Sequence, residues 1–194
     1  MQALRVGVLA FHGDVAEHVR ATEEAGKHLK RALHVILVRT KDDLRGLDAL
    51  IIPGGESTTL QKLCEREGMF GPMKRIKNIF GTCAGAILLA KTVRNKEKDQ
   101  RTLGLMDIEV ERNAYGRQTE SFEKRIQTTL GKIDATFIRA PKIVKVGTDV
   151  EILAKDGNEI LACEEAKGNK YYLALCFHPE LTTTKFHEYF LSRI

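Results

Sequence analysis

The strongest constraint on this chain is the order of its first ~90 residues, in which short apolar runs, glycine turns and amphipathic stretches alternate. Leu4 to Phe11 (LRVGVLAF) is rich in valine and leucine and is closed by His-Gly-Asp, as expected of a strand buried in a parallel sheet. Asp14 can cap the next helix, in which Val15, Val19, Ala25, Leu29 and Leu33 recur at helical spacing from Val15 to Leu33. His34 to Val38 reads as a second strand. Leu50 to Ile52 reads as a third, ending on Pro53-Gly54-Gly55, with Ser57, Thr58 or Thr59 available to cap the helix that follows. Ile79 and Phe80 lead into another glycine turn, and Ala86 to Ala90 is a good helix former. Such alternation is the mark of right-handed β-α-β units.

Beyond Asp99 the pattern changes to strand-like stretches at Met106 to Glu111, Ala135 to Ile138, Ile143 to Val146, Glu151 to Ala154, Ile160 to Glu164 and Tyr171 to Phe177. A last helix, Lys185 to Ile194, places Phe186, Tyr189 and Phe190 on one side. Without repeats or a Pro/Gly/Ser linker, residues 1–194 are expected to form one α/β domain. Its sheet is expected to be mixed but mainly parallel, flanked by helices in three layers.

Composition narrows the function classes. The net charge of +5 comes from 31 basic and 26 acidic residues, but the two signs are interleaved, as in Arg94 to Arg101, and there is no Trp, so a nucleic-acid surface is not expected. The longest apolar run, Tyr171 to Phe177, is far shorter than the ~18 residues of a membrane span. Cys64, Cys83, Cys163 and Cys176 form no C-x-x-C pair and no zinc spacing. With no secretion signal, they read as reduced thiols of a cytoplasmic protein.

Three motifs carry chemistry. Gly81-Thr82-Cys83-Ala84-Gly85 has the form G-x-C-x-G between a strand and a helix, the thiol counterpart of the nucleophile elbow. Small neighbours allow the backbones to approach there, and a helix N-terminus favours a thiolate. The pattern also fits a buried structural cysteine in a tight turn. His178-Pro179-Glu180 offers a base and a carboxylate to orient it, since residues two apart in extended chain face the same side. Alone it is an ordinary turn; beside the elbow it is a candidate base and orienting acid. Pro53-Gly54-Gly55-Glu56-Ser57 can turn backbone N–H groups toward a tetrahedral oxyanion, with the N–H of Ala84 as a second donor.

PGGES, GTCAG and FHPE together resemble the triad, or class I, glutamine amidotransferases. Glu111 to Gln118 (ERNAYGRQ), Ser121-Phe122-Glu123 and Phe137 to Pro141 (FIRAP) narrow the resemblance to the glutaminase subunits of pyridoxal 5′-phosphate synthases. The resemblance runs from Val6 to Thr182 and implies the class I amidotransferase fold. It further implies Cys83 as nucleophile, His178 and Glu180 as its partners, an oxyanion hole at Gly55 and Ala84, and glutamine binding by Gly55, Glu56, Ser57, Arg112, Ile138 and Arg139. The reaction it implies converts L-glutamine to L-glutamate and ammonia through a thioester, without metal or organic cofactor. The ammonia would pass to a synthase subunit on whose core the glutaminases dock. Arg112 and Arg139 suit a substrate carboxylate but, taken singly, equally suit pairing with nearby acids.

One position departs from the family pattern. Phe11-His12-Gly13-Asp14 stands where L-Q-G-D/A is usual, and in the family that glutamine lies near the oxyanion site and the synthase contact. An imidazole lacks the paired donor and acceptor of a carboxamide, and His12 is expected still to serve activation. The rival readings are a glutaminase serving another synthase, a cysteine hydrolase acting on another amide, and a catalytically silent scaffold that binds a partner.

Overall fold

The structure is a computed structural model and describes residues 3–114 and 121–194. Tyr115 to Gln118 of the ERNAYGRQ stretch lie outside the described residues. Strands β1 (Leu4–Leu9), β2 (Leu33–Val38), β3 (Ala49–Ile52), β4 (Asn78–Thr82) and β12 (Lys170–Leu175) form a parallel array in the order β2-β1-β3-β4-β12. From β12 the same sheet continues antiparallel through β11 (Glu159–Lys167), β10 (Val150–Asp156), β7 (Phe122–Thr128) and β8 (Gly131–Phe137). A branch joins β5 (Ala90–Arg94), β6 (Met106–Glu111) and β9 (Lys142–Val146) to β11. The sheet is therefore mixed, and the expectation of a mainly parallel one describes only the five-strand array and the parallel β5–β6 pair.

That array is apolar on both faces because alternate residues of a strand point to opposite sides. Leu9, Leu50, Ile52, Ile79, Tyr172 and Ala174 pack on one side with Leu60 and Cys64 of α2 (Ser57–Arg66) and with α4 (Ala84–Leu89). Val6, Val8, Ala49, Ile51, Phe80, Leu173 and Leu175 pack on the other with Ala25 of α1 (Val15–His28) and with Phe186, Phe190 and Leu191 of α5 (Lys185–Ser192). A four-residue helix, α3 (Phe70–Met73), follows α2.

Several boundaries differ from the sequence reading. Helix α1 stops at His28, because Lys30 turns left-handed at φ 53° and Arg31 N–H donates back to the Gly26 carbonyl at 2.9 Å, so Leu33 opens a strand instead of closing a helix. The buried face of α1 is His18, Ala21, Thr22, Ala25 and Gly26; Val15 and Val19 only border the core, and Leu29 is exposed. The cap of α2 is Glu56, not the hydroxyl residues after it: its carboxylate accepts from Thr58 N–H at 2.9 Å and Thr59 N–H at 2.6 Å. Asp14 sits at the start of α1 but makes no capping hydrogen bond, its carboxylate being turned elsewhere. No described helix is long and apolar enough to cross a membrane.

Candidate active site

Parallel strands end on one edge of a sheet, and in α/β folds that carboxyl edge is where side chains converge on a ligand. Here β1 delivers His12 to Asp14, β3 delivers Gly54 to Ser57, β4 delivers Cys83 and β12 delivers His178 to this edge. Of these, Gly13, Asp14, Gly55, Glu56, Ser57, Cys83 and His178, together with Arg112 after β6 and Ile138 and Arg139 after β8, line a cleft of about 610 Å³. Every predicted site residue except Glu180 and Ala84 lines that cleft; those two lie buried behind it.

Cys83 takes φ 50°, a left-handed conformation that a non-glycine residue adopts at a strained turn. It is the N-cap of α4, so the first N–H of that helix, at Ala84, has no acceptor within its own helix. The turn closes because Gly85 lies against the Ile52 carbonyl, where a Cβ would collide with the oxygen. The Cys83 thiol is 3.8 Å from the Ile138 carbonyl oxygen. Burial pushes the thiols of Cys64 and Cys176 up to about 12 and raises that of Cys163 as well, as expected of packing cysteines.

His178 and Glu180 meet as the spacing predicted, but through a 3-10 turn, Pro179–Leu181, instead of extended chain. Proline opens that turn, and His178 N–H donates to the Thr136 carbonyl at 2.9 Å, tying this residue to β8. Nδ1 of His178 lies 2.8 Å from Glu180 Oε1 and 2.9 Å from Asp14 Oδ2, so two carboxylates share one imidazole N–H. Its other nitrogen faces the elbow across Gly54: a Cβ built on Gly54 would sit 3.2 Å from His178 Nε2 and 3.3 Å from Cys83 Cβ. Burial works against charge on His178, but Asp14, Cys83 and Glu180 outweigh it and raise the imidazole to about 12. Burial likewise opposes charge on Glu180, and His18 and His178 hold its carboxyl well below the usual range. Asp14, His178 and Glu180 also form a group whose ligand atoms lie within 4.8 Å of one another, a spacing already accounted for by these hydrogen bonds.

The substrate-binding candidates form a second network. Arg112, only 7% exposed, donates to Gln100 Oε1 at 2.6 Å and to Glu56 Oε1 at 3.2 Å, and Gln100 donates to Ser57 Oγ at 2.9 Å. Despite the adverse effect of burial, the Thr58 and Thr59 N–H groups lower Glu56 to about 2. Arg112 thus pairs with an acid, as one reading of the sequence had it, but inside the cleft and not on the surface. Arg139, at φ 44°, is exposed and lines the same cleft. The His12 ring lies directly against Gly55, and its Nε2 is buried without a hydrogen-bond partner among the described residues. Asp14, Asn113, Ser121 and Ile87 line the cleft without having been singled out as site residues. From the sequence Asp14 reads as a helix cap, and nothing in its spacing marks it as a neighbour of His178.

The model of the SNO glutamine amidotransferase family matches residues 8–194. The pyridoxal 5′-phosphate synthase subunit PdxT of Oenococcus oeni is 44% identical, over 97% of this chain and 96% of that protein. PdxT of Methanocaldococcus jannaschii is 46% identical over 96% of each. A solved structure of a glutamine amidotransferase superposes with a TM-score of 0.82 at 43% identity, covering 96% of this chain and 97% of that one.

Proposed function

The chain belongs to the SNO glutamine amidotransferase family, and from that premise we propose that it hydrolyses L-glutamine to L-glutamate and ammonia with Cys83, His178 and Glu180 as its triad, supplying the ammonia to a pyridoxal 5′-phosphate synthase subunit. The observation that carries this reading is a strained Cys83 at φ 50° sharing one cleft with His178, whose Nδ1 is backed by the buried Glu180 at 2.8 Å.

The Cys83 sulfur attacks the side-chain carbonyl carbon of glutamine while His178 holds the thiol proton, and the N–H groups of Gly55 and Ala84 receive the oxyanion. His178 then gives its proton to the leaving nitrogen, the C–N bond breaks, and ammonia departs from a thioester. Water attacks the thioester as His178 takes its proton. The C–S bond breaks, glutamate leaves and the proton returns to sulfur. Glu180 keeps the Nδ1 proton in place throughout, as the acid of a triad does. Arg112, with Glu56, Ser57, Ile138 and Arg139, receives the amino-acid end of the substrate.

Ammonia released into neutral water becomes ammonium and loses its lone pair, which is the physical reason for docking on a synthase core. Replacing Cys83 by Ala should abolish glutamine hydrolysis while ammonia-dependent synthesis by the partner persists; surviving hydrolysis overturns the assignment. Glutaminase turnover measured with and without the synthase subunit tests the coupling.

A further inference from the structure

Behind the triad, on the face of the sheet that α1 and α5 cover, lies a polar chain that the mechanism above does not use. His18, Thr82 and His187 are fully buried there, and Glu180 nearly so. His18 Nδ1 is 3.0 Å from His187 Nε2, and His18 Nε2 is 3.0 Å from Thr82 Oγ1 and 3.3 Å from Glu180 Oε1. The rings of both histidines pack against Phe80, with centroids 6.1 and 5.2 Å away. Two imidazoles placed in an otherwise apolar layer are costly to bury unless each hydrogen bond is made.

The direction of the protons follows from the partners. Burial lowers His187 to about 3, so it is neutral. Its Nδ1 has no partner among the described residues, and a buried lone pair is tolerated better than a buried N–H without an acceptor. The His187 proton therefore sits on Nε2 and is donated to His18 Nδ1. His18 must then carry its own proton on Nε2, where it faces Glu180 and Thr82.

We propose that His18, held in register by His187, is a positioning residue for the reaction at Cys83: its Nε2–H fixes Glu180 Oε1 on the line to His178 Nδ1. The need for such a fixture is visible in the site. Glu180 Oε2 is buried without a partner among the described residues, so Oε1 alone anchors the carboxylate. Asp14 stands 2.9 Å from the same His178 nitrogen as a competing acceptor. Without the His18 donor the carboxylate can rotate, the imidazole swings toward Asp14, and Nε2 moves relative to the sulfur.

The inference rests on the triad reading, and its test separates the two. His18→Leu keeps the bulk and removes the donor; His18→Gln places an amide N–H near the position of Nε2. At fixed pH, with Cys83-dependent hydrolysis first established in the parent chain, His18→Leu is expected to lower kcat about 10- to 100-fold with KM within about threefold. His18→Gln is expected to recover kcat to within about fivefold of the parent. Equal losses in both variants, or a His18→Leu kcat within twofold of the parent, overturn the proposal and leave the triad reading intact. Should His18→Leu not fold, long-range 1H–15N correlation spectra of the parent chain labelled at histidine decide. Protons on Nε2 of both His18 and His187 uphold the proposal, and a bare His18 Nε2 overturns it.

Discussion

Gly54 is the residue at which Cys83 and His178, the proposed nucleophile and base, are brought together. Its α-carbon lies where a methyl group would run into the His178 ring while also touching Cys83 Cβ at 3.3 Å. Gly54→Ala should therefore displace the imidazole by about 1 Å and lower kcat for glutamine hydrolysis roughly 100-fold. Because the colliding atom belongs to a side chain that can give way, the fold should tolerate it, with unfolding free energy in urea within about 1 kcal/mol of the parent. A Gly54→Ala enzyme with unchanged kcat would show that the imidazole is not pinned at this point. His12 plays a similar steric part on the next glycine, since its ring fills the space over Gly55 that any side chain there would need.

At the scale of elements, the junction of β3, β4 and α4 is the costliest part of the site to disturb. A Cβ on Gly85 would fall inside the Ile52 carbonyl oxygen, and backbone against backbone cannot rotate away. Gly85→Ala is expected to lower stability by about 1–3 kcal/mol in urea unfolding, by pushing α4 off β3, and to lose glutaminase activity because Cys83 caps the displaced helix. This junction was legible in the sequence because strand, glycine turn and helix former follow one another without a gap. The elements that were not legible share a physical cause. In β7 only Ile126 and Thr128 are buried, and β5 buries only Ala90 and Val93, so neither carries the apolar pattern by which a strand is read. His18 and His187 escaped for the opposite reason. Each stands at a core-facing helical position where an apolar residue is the default, and only the tertiary fold shows that the two imidazoles meet each other, with Glu180 beyond. The cap of α2 was misplaced because a glutamate at the N-cap is outside the usual Ser, Thr, Asp and Asn set.

For the molecule as a whole, the site couples folding to pH through groups that hold opposite charges in a buried place. Glu180 is lowered from 4.5, so its contribution to stability is complete above that value and is lost as pH falls through its folded pKa. His178 is raised from 6.5 to about 12, so its contribution is complete below 6.5 and is lost steadily as pH rises toward 12. Both contributions are complete only between about 4.5 and 6.5, the ordinary values of the two groups. The thiol complicates the proton count, because a proton passed from Cys83 to His178 leaves the total unchanged. The measurement is therefore made in a Cys83→Ala background, where Asp14 and Glu180 still hold the imidazolium at 2.9 and 2.8 Å. Above pH 6.5 the folded chain then binds one more proton than the unfolded chain at this residue. The stability difference between Cys83→Ala and Cys83→Ala/His178→Gln should be flat from pH 5 to 6.5 and shrink by about 1.4 kcal/mol per pH unit from 7 to 8.5. Urea unfolding across that range reads the slope directly, and a difference that does not change with pH would mean that the two carboxylates do not hold a proton on His178.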